Sequence, residues 1–279
     1  MNLPADLHAH TEFSWDTRTG DMEGSCARAV ELGLPAIAFT EHTDFVSWTV
    51  DPAGVPERWT PYMSDPAHLT APALDVGGYL EAIDRCRAKY PTLRIITGVE
   101  LGEPHWFARE AAALLASAPF ERVIGSLHSL RVDGAAVLVE DEYTRRPVEA
   151  VLRDYFAEVV RMVEAGGDFS TLTHLDYPVR YLPAGHAFRI EDFEEEVRQV
   201  LRSLAGTSRA LEINTRRTLE PTLVHWWREA GGAAVSFGSD AHRPEAVATN
   251  FAAAAALAES AGFRPGRHPY DHWIIGRYS

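Results

Sequence analysis

Asp6–Thr11 reads DLHAHT, a short apolar run that ends in two histidines one residue apart. Side chains on an extended chain alternate with period two, so His8 and His10 point the same way. The same arrangement, a short run closed by a histidine or a carboxylate, recurs along the chain. TEHTD follows the run Ala36–Thr40 and presents His42. TGVE closes Leu93–Thr97 and presents Glu100, and GSLH closes Arg122–Gly125 and presents His128. TLTH ends Ser170–Thr173 with His174, and FGSDAH closes Ala234–Phe237 with Asp240 and His242. Arg209–Ile213 is a seventh run, ending at Asn214, and Asp16 lies six residues beyond His10.

Between these runs lie helical patterns near Asp21–Leu32, Val76–Lys89, Trp106–Ala116, Arg146–Glu164, Ile190–Leu204, Glu220–Ala230 and Ala246–Ala261. Val148, Val151, Leu152, Tyr155, Phe156, Val159 and Met162 recur at helical spacing. Gly33, Gly166 and Gly231 follow helix ends, where a left-handed cap residue is expected. Strand–helix alternation implies a mostly parallel sheet, and seven such units without a dinucleotide fingerprint point to an α/β barrel. In a parallel barrel every strand end lies on one face, where barrel enzymes place their chemistry. Phe45–Asp75 breaks the alternation. It is rich in Pro and Trp, and Phe45, Trp48, Trp59 and Tyr62 favour an ordered lid; the alternative is a surface loop packed over the barrel edge. The chain is read as one domain, 1–279, with a lid-like insertion at 45–75.

The composition narrows the function. Of 279 residues 46% are hydrophobic, yet no apolar run approaches the roughly 18 residues of a membrane span. The N-terminus lacks the basic and apolar regions of a secretory signal, and Cys26 and Cys86 stand outside any CxxC, so a reducing cytoplasm is expected. A net charge of −14 argues against extended nucleic-acid contact, which draws on a basic face. A small phosphorylated partner stays compatible, because bound metal ions reverse the local field. Six of the twelve histidines, His8, His10, His42, His128, His174 and His242, sit at or just past strand ends. Singly, each reads as a cap or core histidine. With Asp16, Glu100 and Asp240 they form a set of nine donors, too many for one ion and suited to two or three zinc, manganese or iron ions. Adjacent ions of this kind clamp a phosphate, acidify a bound water and stabilise a leaving oxygen.

DLHAHT, TEHTD, GVE, GSLH, THLD and GSDAH, in that order from residue 6 to 242, resemble the polymerase-and-histidinol-phosphatase (PHP) superfamily. The resemblance implies a distorted (β/α)7 barrel of the PHP type with a trinuclear metal site. His8, His10, Glu100 and Asp240 would hold one ion. Glu100 would bridge to a second on His128 and His174, and Asp16, His42 and His242 would hold the third. His8, His10, Glu100, His128, Asp240 and His242 carry the catalytic expectation. Asp16 stands where many members have His or Glu, and Glu41 where Asp often precedes the histidine.

Within the superfamily GSLHSL, HLDYPVRY, ALEINT and AGFRPGRHPYDHW look most like histidinol-phosphate phosphatases. That implies hydrolysis of L-histidinol phosphate by a metal-activated water. Ser126, Arg180, Asn214, Arg216, Arg217 and Arg243 are candidate substrate contacts, the arginines because guanidinium groups grip phosphate; each arginine reads equally as a surface salt bridge. Glu12, Asp44 and Glu103 are candidates to pair with a substrate amine or, alternatively, to orient ligand histidines. The competing readings are a PHP phosphoesterase for a nucleotide or cyclic phosphate, a polymerase exonuclease module, and a metal-binding scaffold without turnover.

Overall fold

The computed structural model describes residues 3–217 and 220–276. Seven parallel strands lie side by side in chain order: β1 (Asp6–Ala9), β2 (Ala36–Thr43), β3 (Arg94–Gly102), β4 (Arg122–Ser126), β5 (Thr171–Leu172), β6 (Ala210–Asn214) and β7 (Ala234–Gly238). Two short strands, β8 (Phe263–Arg264) and β9 (Trp273–Ile275), extend the sheet beyond β7 with antiparallel pairing. The first and seventh strands also meet. A parallel bridge joins Ala9 to Ala241, the Asp240 amide donates to the His8 carbonyl and the His10 amide to the Ala241 carbonyl, both at 2.8 Å. The fold is mixed α/β. Among the described residues no helix is long and apolar enough to cross a membrane.

The helices between the strands are α1 (Met22–Glu31), α2 (Val76–Lys89), α3 (Ala108–Leu115), α4 (Val148–Ala165), α5 (Glu194–Ala205), α6 (Pro221–Glu229) and α7 (Phe251–Ser260). Asp21 and Asp75 cap α1 and α2 by accepting from the amides of Gly24 and Gly78. All seven apolar positions read on α4 are buried, and Gly33 and Gly166 take φ of 69° and 85° past their helices. Cys26 and Cys86 are buried free thiols. The strands are buried on both faces, as expected of a parallel sheet. Ala36, Ala38 and Ile96 pack with Ala5 and Leu7 on one side, while Ile37, Phe39 and Ile95 join the larger core under the helices. On β1, three steps from Asp6 to Ala9 oppose two on β2, a bulge beneath His8 and His10.

Two strands run further than their apolar runs suggest. β2 continues to Thr43 and β3 to Gly102, because TEHT and GVELG are polar or glycine-containing and nevertheless almost wholly enclosed. His42 and Glu100 therefore sit within strands, as register partners on neighbouring chains. Phe45–Asp75 is also more ordered than a loop. It holds strands Ser47–Thr49, Met63–Asp65 and His68–Thr70 and a 3-10 turn, Glu57–Tyr62. These pair with a hairpin, Ser129–Val132 and Ala135–Leu138, into a second, five-stranded sheet. Trp48, 1% exposed, ties the two parts by donating Nε1–H to Ser129 Oγ at 2.8 Å.

Candidate metal centre

Glu100 stands at the middle of the site. Its Oε2 lies 3.3 Å from His8 Nε2, 3.3 Å from His10 Nε2 and 3.1 Å from His42 Nδ1. Its Oε1 lies 2.9 Å from His174 Nε2 and 3.5 Å from His128 Nε2. Asp240 Oδ1 lies 3.4 Å from His10 Nε2 and 3.6 Å from His242 Nδ1. Asp16 Oδ2 lies 3.0 Å from His242 Nε2 and 3.6 Å from His42 Nε2. His8, His10, Asp16, His42, Glu100, His128, His174, Asp240 and His242 thus converge.

This packing fits ions better than hydrogen bonds. Donors about 2.0–2.2 Å from a tetrahedral ion stand roughly 3.3–3.5 Å apart, close to the separations found here. Asp16 Oδ1, His42 Nδ1 and Glu100 Oε2 are buried without a hydrogen-bond partner, which normally costs stability. Among the described residues, four triads each bring three donor atoms within 4.8 Å of one another: His8–His10–Glu100, His8–His174–Asp240, His42–Glu100–His128 and His10–His42–His242. The electrostatics divide the imidazoles. Against burial, Glu212 and Glu100 hold His8 well up, Asp240 and Glu100 raise His10 to about 9, and Asp44 and Glu100 hold His128 well up, so a field of carboxylates draws positive charge to the cluster. Burial works to raise the Glu100 carboxyl, but His8 and His42 hold it well below the usual carboxylate range. Burial pushes His42 and His174 down to about 4, leaving neutral imidazoles, the form that coordinates.

A set of buried partners orients these side chains, and the sequence reading assigned most of them no role. His8 Nδ1 lies 2.7 Å from Glu212 Oε1, which leaves Nε2 free to face the cluster; Glu212 Oε2 accepts from the His174 amide at 3.0 Å. His10 Nδ1 lies 3.0 Å from Ser14 Oγ, whose hydroxyl donates to Glu41 Oε2 at 2.6 Å. Glu41 also accepts from the Thr11 hydroxyl, so it braces the cluster from behind rather than joining it. Asp6, 0% exposed, accepts from the Ser239 amide and hydroxyl and from the Ala248 amide. These bonds fix the turn in which Asp240 takes the strained φ of 52°. Period two offered a signal for both missed carboxylates. Asp6 shares a parity with His8, and Glu212 with Asn214. Replacing Glu212 with Gln keeps the shape and removes the charge that holds the His8 tautomer. Metal affinity is expected to fall about 10–100-fold, read by competition with a chromogenic chelator.

The substrate-contact candidates divide. Arg180 and Arg216 line the cavity beside the cluster. Arg180 Nη1 donates to Asp240 Oδ2 at 2.6 Å, and its Nε and Nη2 are buried without partners. Arg216 Nη1 donates to Asp240 Oδ1 at 3.1 Å. The other four are not brought to this cavity. The Ser126 hydroxyl donates to the Leu101 carbonyl, and Asn214 donates to Glu212. Arg217 is held by the Val179 carbonyl and faces a neighbouring cavity, and Arg243 lines a further one outside Asp240 and His242. Of the three carboxylates expected to meet an amine, only Asp44 lines the cavity. Glu12 accepts from the Met22 amide at the start of α1, and Glu103 is buried under the amides of His128 and Ser129.

Known proteins resemble this chain over nearly all its length. A histidinol-phosphatase of Lactococcus lactis is 27% identical over 92% of this chain and 91% of its own. A Clostridium acetobutylicum protein named probable histidinol-phosphatase is 26% identical over 93% and 94%. The crystal structure of the Lactococcus lactis histidinol phosphate phosphatase with zinc, L-histidinol and phosphate superposes with a TM-score of 0.77 at 25% identity, covering 95% of each chain. A Listeria monocytogenes structure, 18% identical with a TM-score of 0.69, shares the fold. The PHP domain model matches residues 6–216, which take in seven of the nine converging residues, all but Asp240 and His242, and the chain belongs to the PHP domain family.

Proposed function

We propose that this chain hydrolyses L-histidinol phosphate to L-histidinol and phosphate, a metal-dependent phosphomonoester hydrolysis. The observation that carries the reading is the position of Glu100, one carboxylate within 3.5 Å of five imidazoles. The relative found with zinc, L-histidinol and phosphate supports the substrate. His8, His10, Glu100 and Asp240 would hold one ion, Glu100, His128 and His174 a second, and Asp16, His42 and His242 a third, each zinc, manganese or iron. When bound, such ions supply Lewis acidity and an activated water.

The protein's own groups do the rest. Arg180 presents two unpartnered guanidinium nitrogens beside Asp240, placed to take phosphate oxygens. Arg216 adds a second cation on the same carboxylate. Trp48 and Trp59 line the cavity from the inserted segment, so residues 45–75 act as a lid that keeps water from the reacting phosphate. The bridge from Ala9 to Ala241 supports a distorted (β/α)7 barrel in a single domain, 1–279. The test is kcat/KM on protein loaded with zinc, manganese or iron. L-histidinol phosphate is expected to exceed a nucleoside monophosphate and a neutral sugar phosphate by about tenfold or more. A nucleotide turned over faster would replace this substrate with another.

A further inference from the structure

Four carboxylates line the cavity beside the cluster: Asp16, Asp44, Asp240 and Glu140. Three are engaged. Asp16 faces His42 and His242, Asp240 binds Arg180 and Arg216, and Asp44 accepts from Trp15 Nε1 at 2.8 Å and lies 3.6 Å from His128 Nδ1. Glu140 is different. Asp16 Oδ1 and Asp44 Oδ1 are also buried without a hydrogen-bond partner, but those carboxylates engage neighbours through their other oxygen. Glu140 makes no ion pair among the described residues, and its buried Oε2 is unpartnered. Burial pushes its carboxyl up to about 7, the behaviour of a carboxylate that lacks a cation.

The location of Glu140 suits a group on the substrate's body rather than its phosphate. It sits in the turn Val139–Glu142, directly after the hairpin strand Ala135–Leu138. The Val139 amide donates to the His128 carbonyl at 3.1 Å, which anchors this turn to the end of β4. Tyr177 and Tyr181 line the same cavity. Tyr177 lies 4.7 Å from the His128 ring and 5.2 Å from the His174 ring, and Tyr181 lies 5.2 Å further on and is 40% exposed. An aromatic strip therefore runs from the cluster to solvent. Glu140 is close enough for its charge to act on both tyrosines.

We infer that Glu140 is a specificity-determining residue, pairing its free carboxylate oxygen with the protonated amine of a cationic phosphomonoester held at the cluster. The inference rests on the proposed phosphatase activity. L-histidinol phosphate carries such an ammonium group, and 3-(imidazol-4-yl)propyl phosphate is the same ester without it. A charge-assisted bond in a partly enclosed cavity is worth about tenfold to hundredfold in affinity.

The experiment compares kcat/KM for these two esters in the wild-type holoenzyme, Glu140→Gln and Glu140→Asp. The wild type is expected to favour the amine by about tenfold or more. In Glu140→Gln that ratio should fall to within about threefold, chiefly through a higher KM for the amine ester, and Glu140→Asp should restore part of it. A ratio that persists in Glu140→Gln overturns the assignment, as does an equal loss on both esters, which marks a structural role. Those outcomes leave the phosphatase reading standing. A wild type that turns over a nucleoside monophosphate faster than either ester overturns the substrate reading and this inference together.

Discussion

Glu100→Gln is expected to lower kcat/KM by about 10³-fold or more, roughly 4 kcal/mol of transition-state stabilisation. The substitution preserves volume and removes the one charge shared by His8, His10, His42, His128 and His174. An amide is a poor bridge between cations, so two of the three donor groups lose their common member. Metal content, measured by plasma mass spectrometry, should drop by at least one ion per chain. Far-ultraviolet circular dichroism should be unchanged, because the strands that carry Glu100 are held by packing on both faces. Full activity in this variant would remove Glu100 from the centre of the site.

Arg180→Ala is expected to lower kcat/KM by about 10²–10³-fold and to raise the inhibition constant of inorganic phosphate. Its side chain is 8% exposed and anchors on Asp240, which is 3% exposed. Removing it strips the phosphate of a donor and also leaves Asp240 with Arg216 alone. Breaking a buried ion pair of this kind destabilises by about 3 kcal/mol, so the urea midpoint should fall as well. Arg180→Lys keeps the charge and loses the fork. It should recover stability more fully than activity, and this separates the two roles.

The nine converging residues were legible because all but Asp16 stand at or just beyond a strand, and parallel topology carries all strand ends to one face. What lay behind them was harder to read. Glu212 sits inside ALEIN and looks like a polar interruption of an apolar run; only its parity with Asn214 marks it as inward-facing. Ser126 does not line the cavity, for a reason of register. Gly102 and Ser126 are partners across β3 and β4, which turns the hydroxyl to the Leu101 carbonyl. The hairpin at Ser129–Leu138 carried a turn signal, since Asp133–Gly134 is a two-residue loop with φ of 50° and 85°. Without that hairpin, residues 45–75 have no sheet to join and read as a loop. Glu140 and the tyrosine strip were beyond reach, because the cavity is assembled from turns far apart in sequence.

The most direct measurement is phosphate release from L-histidinol phosphate by chelator-treated protein as zinc or manganese is added back in counted equivalents. Turnover should be absent without metal, rise with each equivalent and level off at two or three ions per chain. Sustained turnover by metal-free protein, or metal-loaded protein that releases no phosphate, would contradict the assignment of the histidine–carboxylate cluster as a phosphatase centre.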